Sequence, residues 1–342
     1  MTRPASQMRR EILDIPVAVD RLLGAGGDAV RRAAAAMRAA DPAFLVTGAR
    51  GSSDHVATYL KYVSELLAGV PVASIGPSTA SIYHAKLRLA GSVCLSVSQS
   101  GASPDILALA RSARAAGALG IAITNTETSP LAGAADHLLP IHAGPELSVA
   151  ATKTFVSSAV AGLWLIAEWQ GDAALLAAIR ALPEALARAA AIDWPQMRAA
   201  IGEGSLFTLG RGPSWAISNE AALKFKETCR IHAESYSSAE VLHGPVSIVD
   251  RGFPVLCFAA HDAAETAVAE IADRIAATGA QVFATTDATR AARTVECVRT
   301  AHPLTDPLSL IVSFYAMVER IATERGIDPD APRHLRKVTE TI

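Results

Sequence analysis

Val93-Cys94-Leu95-Ser96-Val97-Ser98-Gln99-Ser100-Gly101-Ala102-Ser103-Pro104-Asp105 reads as a buried strand running into a serine-rich turn, and the helical run Ile106 to Ala116 follows it directly. A short apolar run bounded by turn residues suits a strand covered on both faces. Gly101 permits a tight turn, Ser103 is placed to cap the helix, and Pro104 suits its first position. Ser98, Ser100 and Ser103 supply hydroxyl donors beside free backbone N–H groups and the positive end of the helix dipole, a combination that suits a dianion. The dipole contributes about 0.3–1 kcal/mol, up to ~2 when partly buried, so hydroxyls and amides must carry much of the affinity. The same composition also serves an ordinary capped helix after a strand. No lysine follows the glycine at P-loop spacing, which argues against a nucleoside triphosphate.

Working outward, further strand-like segments stand at Phe44 to Gly48, Val70 to Ile75, Gly120 to Thr124 and His137 to Ile141. Helical patterns run over Pro16 to Ala40 and Asp54 to Ala68, and the alternation predicts a parallel sheet flanked by helices. A long helical stretch from Lys153 to Arg198 follows, broken at Pro183 and Pro195, and Leu206 to Gly210 then reads as a strand entering a glycine turn. From here the landmarks recur. Gly51 and Gly212 lie 161 residues apart, while Val93 with Val255, Gly117 with Gly279 and Asn125 with Asp287 keep an offset of 162. Such spacing predicts two similar α/β lobes, 40–195 and 200–330, with an N-terminal helical arm over 1–39 and a C-terminal tail over 331–342. In the second lobe the stretch matching the serine loop is Ala259-Ala260-His261-Asp262-Ala263-Ala264-Glu265, which lacks the serines and has two acids. One phosphate site is therefore expected, in the first lobe.

Among 342 residues, Lys plus Arg number 31 against 33 Asp plus Glu, for a formal net charge of -2. No basic balance marks a nucleic-acid or anionic-membrane partner, so an anion site must be local. The four cysteines, Cys94, Cys229, Cys257 and Cys297, form no CxxC pair. Neither a zinc site nor a disulfide framework is suggested, and a reducing cytoplasm fits. The N-terminal segment has no apolar signal core, and the most apolar stretch, Ala159 to Trp169, is shorter than the roughly 18 residues of a membrane span. No metal site is expected, because His55, His84 and His142 have no second His or Cys at ligand spacing.

The acid–base candidates fall in the second lobe. Glu220, Lys224 and Glu227 stand at i, i+4 and i+7 of a helical pattern, which puts them on one face. A solvated salt-bridge stripe has the same spacing. His243 precedes Gly244-Pro245 in a turn, where a side chain can project into a cleft, and histidine titrates near neutrality. A carboxylate that takes a proton from carbon needs a pKa near the working pH, whereas free Glu lies at about 4.3. Pairing of Lys224 with Glu220 is expected to leave Glu227 less stabilised as an anion. Ser52 and Ser53, at another strand-to-helix turn, either cap a helix or bind hydroxyls. Lys153, near a helix start, opposes the dipole and hints at an anion or an acid nearby.

Six phrases in one order, GSSDH, SQSGASPD, VAATK, EAALKFKE, SSAEVLHGP and PRHLRKVTE, resemble the double sugar-isomerase (SIS) chains of the glucosamine-6-phosphate synthase isomerase domain and its relatives. The resemblance runs from Gly48 to the C-terminus, and within that superfamily the chain is similar to the stand-alone glucosamine-6-phosphate deaminases. It implies an α/β fold of two SIS lobes, each a mostly parallel sheet between helices in three αβα layers. It further implies that Ser98, Gln99, Ser100 and Ser103 hold a phosphate and that Ser52, Ser53 and Val149 line the sugar. Glu227 would shuttle a proton between C1 and C2, and His243 would assist ring opening from the neighbouring subunit of a homodimer. Lys337 matches the lysine that forms a Schiff base with a ketose, and Lys224 matches a lysine near the open-chain substrate. Two positions depart from the synthase: Ala102 replaces an acid and Arg336 a small residue, the second bearing on the tail's contact with an amino sugar.

The implied reaction converts glucosamine 6-phosphate and water to fructose 6-phosphate and ammonia, without metal or organic cofactor. Alternatives on the same scaffold are fructosamine-phosphate deglycation and plain aldose–ketose isomerisation. A non-catalytic sugar-phosphate-binding regulatory module is the alternative of another class; retention of Glu227, His243 and Lys337 together favours an enzyme. About forty residues precede the first strand and no cysteine occurs before Cys94. Glutamine-driven synthesis is thus not expected of this polypeptide alone.

Overall fold

The computed structural model describes residues 5–337. Helices α1 (Gln7–Ala25) and α2 (Gly27–Ala40) precede β1 (Phe44–Gly48), α3 (Ser52–Leu67), β2 (Val72–Ser74) and a single turn, α4 (Ser78–Ser81). Next come β3 (Ser92–Val97), α5 (Pro104–Ala115), β4 (Leu119–Thr124), α6 (Pro130–Ala134) and β5 (His137–Pro140). Four helices, α7 (Lys153–Gln170), α8 (Ala173–Arg180), α9 (Leu182–Ala189) and α10 (Pro195–Ala200), lead to β6 (Leu206–Gly210). The remainder is α11 (Pro213–Cys229), β7 (Ala233–Ser237), two 3-10 turns at Glu240–His243 and Pro245–Ile248, β8 (Pro254–Cys257), α12 (Glu265–Ala276), β9 (Gln281–Ala284), β10 (Arg293–Thr294) and α13 (Asp306–Glu324).

Every strand pairing is parallel among the described residues, and the two five-stranded sheets have one strand order, β2-β1-β3-β4-β5 and β7-β6-β8-β9-β10. The central strands β3 and β8 are buried at every residue, as apolar runs covered on both faces should be, while the edge strands β2 and β10 are largely exposed. Leu45 pairs with Val93 in the first sheet, and Phe207 pairs with Val255, each 162 positions on, in the second. Gly51 (φ 55, ψ -133) and Gly212 (φ 58, ψ -136) precede α3 and α11 in a conformation that is essentially closed to residues with a Cβ. The chain thus has the α/β architecture of two parallel sheets flanked by helices.

Two compact units contain these sheets. One comprises Val17–Glu146, Lys153–Arg180 and the described part of Leu335–Ile342; the other comprises the described part of Met1–Pro16 with Leu147–Thr152 and Ala181–His334. In the first unit α7 is buried along almost its whole length and packs on α2 and α3. In the second, α13 is the buried helix and packs on α11 and α9. Among the described residues, no helix is long and apolar enough to cross a membrane.

Three expected boundaries move. The first helix starts at Gln7 rather than near Pro16 and runs through that proline. Its opening N–H groups, those of Gln7 and Met8, each donate to the Asp330 carboxylate at 2.7 Å, a cap supplied from the far end of the sequence. The segment Val70 to Ile75 is a strand only over Val72–Ser74. The stretch from Lys153 to Arg198 divides after Gln170, Arg180 and Ala189, and Pro183 and Pro195 each lie in the first turn of a helix, where a missing N–H costs nothing.

Candidate active site

The first sheet presents the serine loop at the C-terminal end of β3, the position at which open α/β sheets bind ligands. Gly101 adopts φ +62, and a Cβ there would fall 2.2 Å from Ser129 Oγ, so both conformation and space require glycine. Around it the Gly101 N–H donates to Ser98 Oγ at 3.2 Å and the Ala102 N–H to Ser100 Oγ at 3.3 Å. The Gln99 carbonyl accepts from the Asn125 N–H at 3.2 Å, fixing the loop to the end of β4. Ser103 occupies the N-cap position of α5 in extended conformation, yet its hydroxyl makes no bond to the helix; the Ile106 N–H goes to Asp105 Oδ1 at 2.8 Å instead. The capping role expected of Ser103 is therefore corrected, and its hydroxyl stands at a helix start without that duty.

Ser52 and Ser53 open α3 at the end of β1, the strand paired with β3, so their turn and the serine loop are neighbours within one unit. Neither serine is the N-cap, which is Gly51. An unforeseen ion pair ties the two turns: Arg50 Nε donates to Asp105 Oδ2 at 2.9 Å, and the Asp105 side chain is fully buried. No spacing rule links an arginine after one strand to an aspartate after another, and only the sheet order brings them together.

In the second unit, α11 carries the three acid–base candidates. Glu220 and Lys224 have no solvent exposure and Glu227 retains 19%, which rules out a solvated stripe. Lys224 Nζ lies 3.2 Å from Glu220 Oε1 and 2.5 Å from Glu227 Oε2. The expected pairing of Lys224 with Glu220 is present, but it does not leave Glu227 without the cation: the ammonium serves both carboxylates and stands nearer Glu227. Burial by itself would lower the Lys224 pKa; Glu220 and Glu227 outweigh it and hold the group above its ordinary range, hence charged. The Tyr315 hydroxyl, from α13, donates to Glu220 Oε1 at 3.0 Å. Of the three helix residues only Glu227 meets solvent, backed by a buried cation. His243 ends the 3-10 turn Glu240–His243 with an exposed side chain, just before Gly244 at φ 148.

Val149 belongs to the same unit, and its N–H donates to the Asp330 carbonyl at 3.1 Å. Glu11, on α1, accepts from the Leu147 and Ser148 N–H groups. One backbone carbonyl and one carboxylate thus fix the segment Leu147 to Val149. In the first-sheet unit, Lys337 Nζ donates to Glu146 Oε2 at 2.7 Å. Glu146 is fully buried at the start of α7, where it also accepts from the Thr154 N–H at 3.0 Å and the Thr154 hydroxyl at 2.6 Å. Here is the acid that Lys153 hinted at, although Lys153 Nζ itself donates to the Pro145 carbonyl at 2.9 Å. Burial would raise the Glu146 pKa; Lys337 and the Thr154 bonds outweigh it and hold it below the ordinary value. The described residues include no group of three or more metal-ligating side chains.

The SIS domain profile matches residues 40–167 and 201–319. A glutamine–fructose-6-phosphate aminotransferase (isomerizing) of Caulobacter vibrioides is 33% identical over 96% of this chain and 58% of its own length. The chain spans about half the length of the curated relatives it matches. A crystal structure from Silicibacter pomeroyi DSS-3, of a protein named as a candidate phosphosugar isomerase, is 67% identical with a TM-score of 0.93, covering 95% of this chain and 100% of that one. The glucosamine-6-phosphate deaminase structure from Thermotoga maritima has a TM-score of 0.79 at 19% identity, covering 98% of this chain and 100% of that one, a likeness of fold. With one profile match on each sheet, the chain belongs to the SIS domain family.

Proposed function

We propose that this chain is a phosphosugar enzyme of the isomerase type and, more narrowly, a glucosamine-6-phosphate deaminase that forms fructose 6-phosphate and ammonia. The observation that carries the reading is Glu227, a carboxylate with access to solvent held against the buried Lys224 ammonium. In this reading the serine loop with Gln99 binds the phosphate dianion, and Ser52, Ser53 and Val149 line the sugar. His243 assists ring opening, which exposes a C1 aldehyde beside the C2 amine. Glu227 takes the C2 proton and returns it at C1, leaving an imine at C2. Water adds to that imine and ammonia departs, so the ketose and one ammonia account for every atom of the amino sugar and water. General acid–base steps of this kind supply about 10²–10⁴-fold each, and anchoring through the phosphate adds more.

The names of the relatives support the class: aminotransferases that isomerise fructose 6-phosphate, and a candidate phosphosugar isomerase at 67% identity. The reading includes a cytoplasmic homodimer in which His243 serves the neighbouring subunit. Incubation of the purified protein with glucosamine 6-phosphate and EDTA, followed by assay of ammonia and fructose 6-phosphate, tests it. Both products should appear in equal amounts. Interconversion of an aldose and a ketose phosphate without ammonia release would instead establish plain isomerisation.

A further inference from the structure

Lys337 is fixed by a buried anion that sequence reading did not single out. Glu146 has no solvent exposure, whereas the Lys337 side chain keeps 24%. Within this unit the carboxylate is held from its other side by the first turn of α7: the Thr154 N–H reaches Oε1, while the Thr154 hydroxyl shares Oε2 with Lys337. A helix start stabilises an anion, and threonine adds a charge-assisted bond, so the carboxylate has a rigid seat in the helix. Leu335 to Lys337, by contrast, lie in no helix or strand. The asymmetry matters. A buried carboxylate lacking its counter-charge costs several kcal/mol, which makes Glu146 a strong fixed point for a cation arriving on an irregular segment.

We propose that Glu146 is the positioning residue for Lys337: it seats the tail amine at one place and orientation, and Thr154 in turn orients Glu146. This rests on the reading that Lys337 acts on an open-chain sugar phosphate. Glu146 need not touch substrate. Its contribution is to remove the rotamer freedom of a four-carbon side chain before substrate arrives, the pre-organisation that oriented groups supply to catalysis.

The test is Glu146→Gln in the full-length protein, with two readouts. The first is acylation of Lys337 by an amine-reactive acetylating reagent, followed by peptide mass spectrometry and normalised to the exposed Lys86. Release from the carboxylate should speed Lys337 labelling at least about fivefold, the scale of a partly exposed ion pair worth about 1 kcal/mol. The second is steady-state turnover, in which kcat should fall at least about tenfold with KM within about twofold, because the amine is displaced while the phosphate anchor is intact. Thr154→Val, which keeps the charge pair but deletes one bond to Glu146, should give a smaller shift in the same direction, and Thr154→Ser should restore the wild-type values. Folded Glu146→Gln with unchanged Lys337 labelling would overturn the proposal, as would unchanged kcat in an active enzyme. If Glu146→Gln does not fold, Thr154→Val decides by the same labelling, and an unchanged rate overturns it. Labelling needs no turnover, so a wild type that releases no ammonia sinks the deaminase reading separately.

Discussion

The loop after β3 and the loop after β8 occupy the same place in two sheets of identical strand order, and they are filled in opposite ways. After β3 the chain offers serine hydroxyls, a glycine turn and a helix start whose N-cap hydroxyl makes no bond to that helix. After β8 a cation from elsewhere in the lobe occupies the corresponding region: Arg299 donates to the Ala259 carbonyl at 2.9 Å and the Thr285 carbonyl at 2.6 Å. It also pairs with Glu265 and Asp306, each at 3.2 Å. Thr124 and Thr286 show the same divergence at matched strand ends: Thr124 braces the Gln99 carbonyl, whereas the Thr286 hydroxyl donates to Glu265. An anion entering the second loop would meet Glu265 and Asp306 already bonded to Arg299. Equal backbone frames therefore do not imply equal ligands; the side chains decide which loop leaves donors available and which satisfies itself.

That contrast can be broken by substitution, and the proposed division of labour sets the order of effects. Glu227→Gln, on α11 of the second unit, should lower kcat by about 10²–10⁴ with little change in KM, as read from ammonia release. Ser103→Ala, in the first loop, should raise KM and the inhibition constant of inorganic phosphate by about tenfold, the scale of one hydrogen bond to a charged group at about 1.5 kcal/mol, with kcat nearly unchanged. Arg299→Ala should leave phosphate affinity alone and lower stability by about 1–3 kcal/mol in urea melts, since Asp306 is buried and loses a cation, moderated by the partial exposure of the arginine. Loss of phosphate affinity in that variant would contradict the self-satisfied second loop. Smallest is His261→Ala: its ring lies 2.8 Å from Glu265 but is 79% exposed, and stability should move by no more than about 0.5 kcal/mol.

Local chemistry made the first loop readable. A buried apolar strand, Gly101 for the turn and Pro104 for the first helical position are all short-range requirements, and all three are met as read. The 161- and 162-residue offsets correspond to matched strand order and to matched glycine conformations at 51 and 212. What escaped the sequence depends on contacts between distant segments. Tyr315 on Glu220, Arg50 on Asp105 and Lys337 on Glu146 pair residues whose proximity follows only from packing. The choice between a solvated stripe and a buried triad on α11 needed burial, which helical spacing does not supply. Ser103 had the right residue type and position for a cap, but Asp105 took the available N–H.

The Asp330 cap on α1 bears on how the chain is made. Gln7 and Met8 leave the ribosome more than 300 residues before the carboxylate that caps them, a separation of 323 positions for Gln7. At roughly 5–20 residues per second this is an interval of about 16–65 s during which the helix has no partner for its first amides. Its opening turn frays until the segment around Asp330 arrives. The cap on α1 therefore forms only after Asp330 has been made, and a ribosome-stalled chain ending before Asp330 should expose the bonds around Gln7 to protease that the folded protein protects.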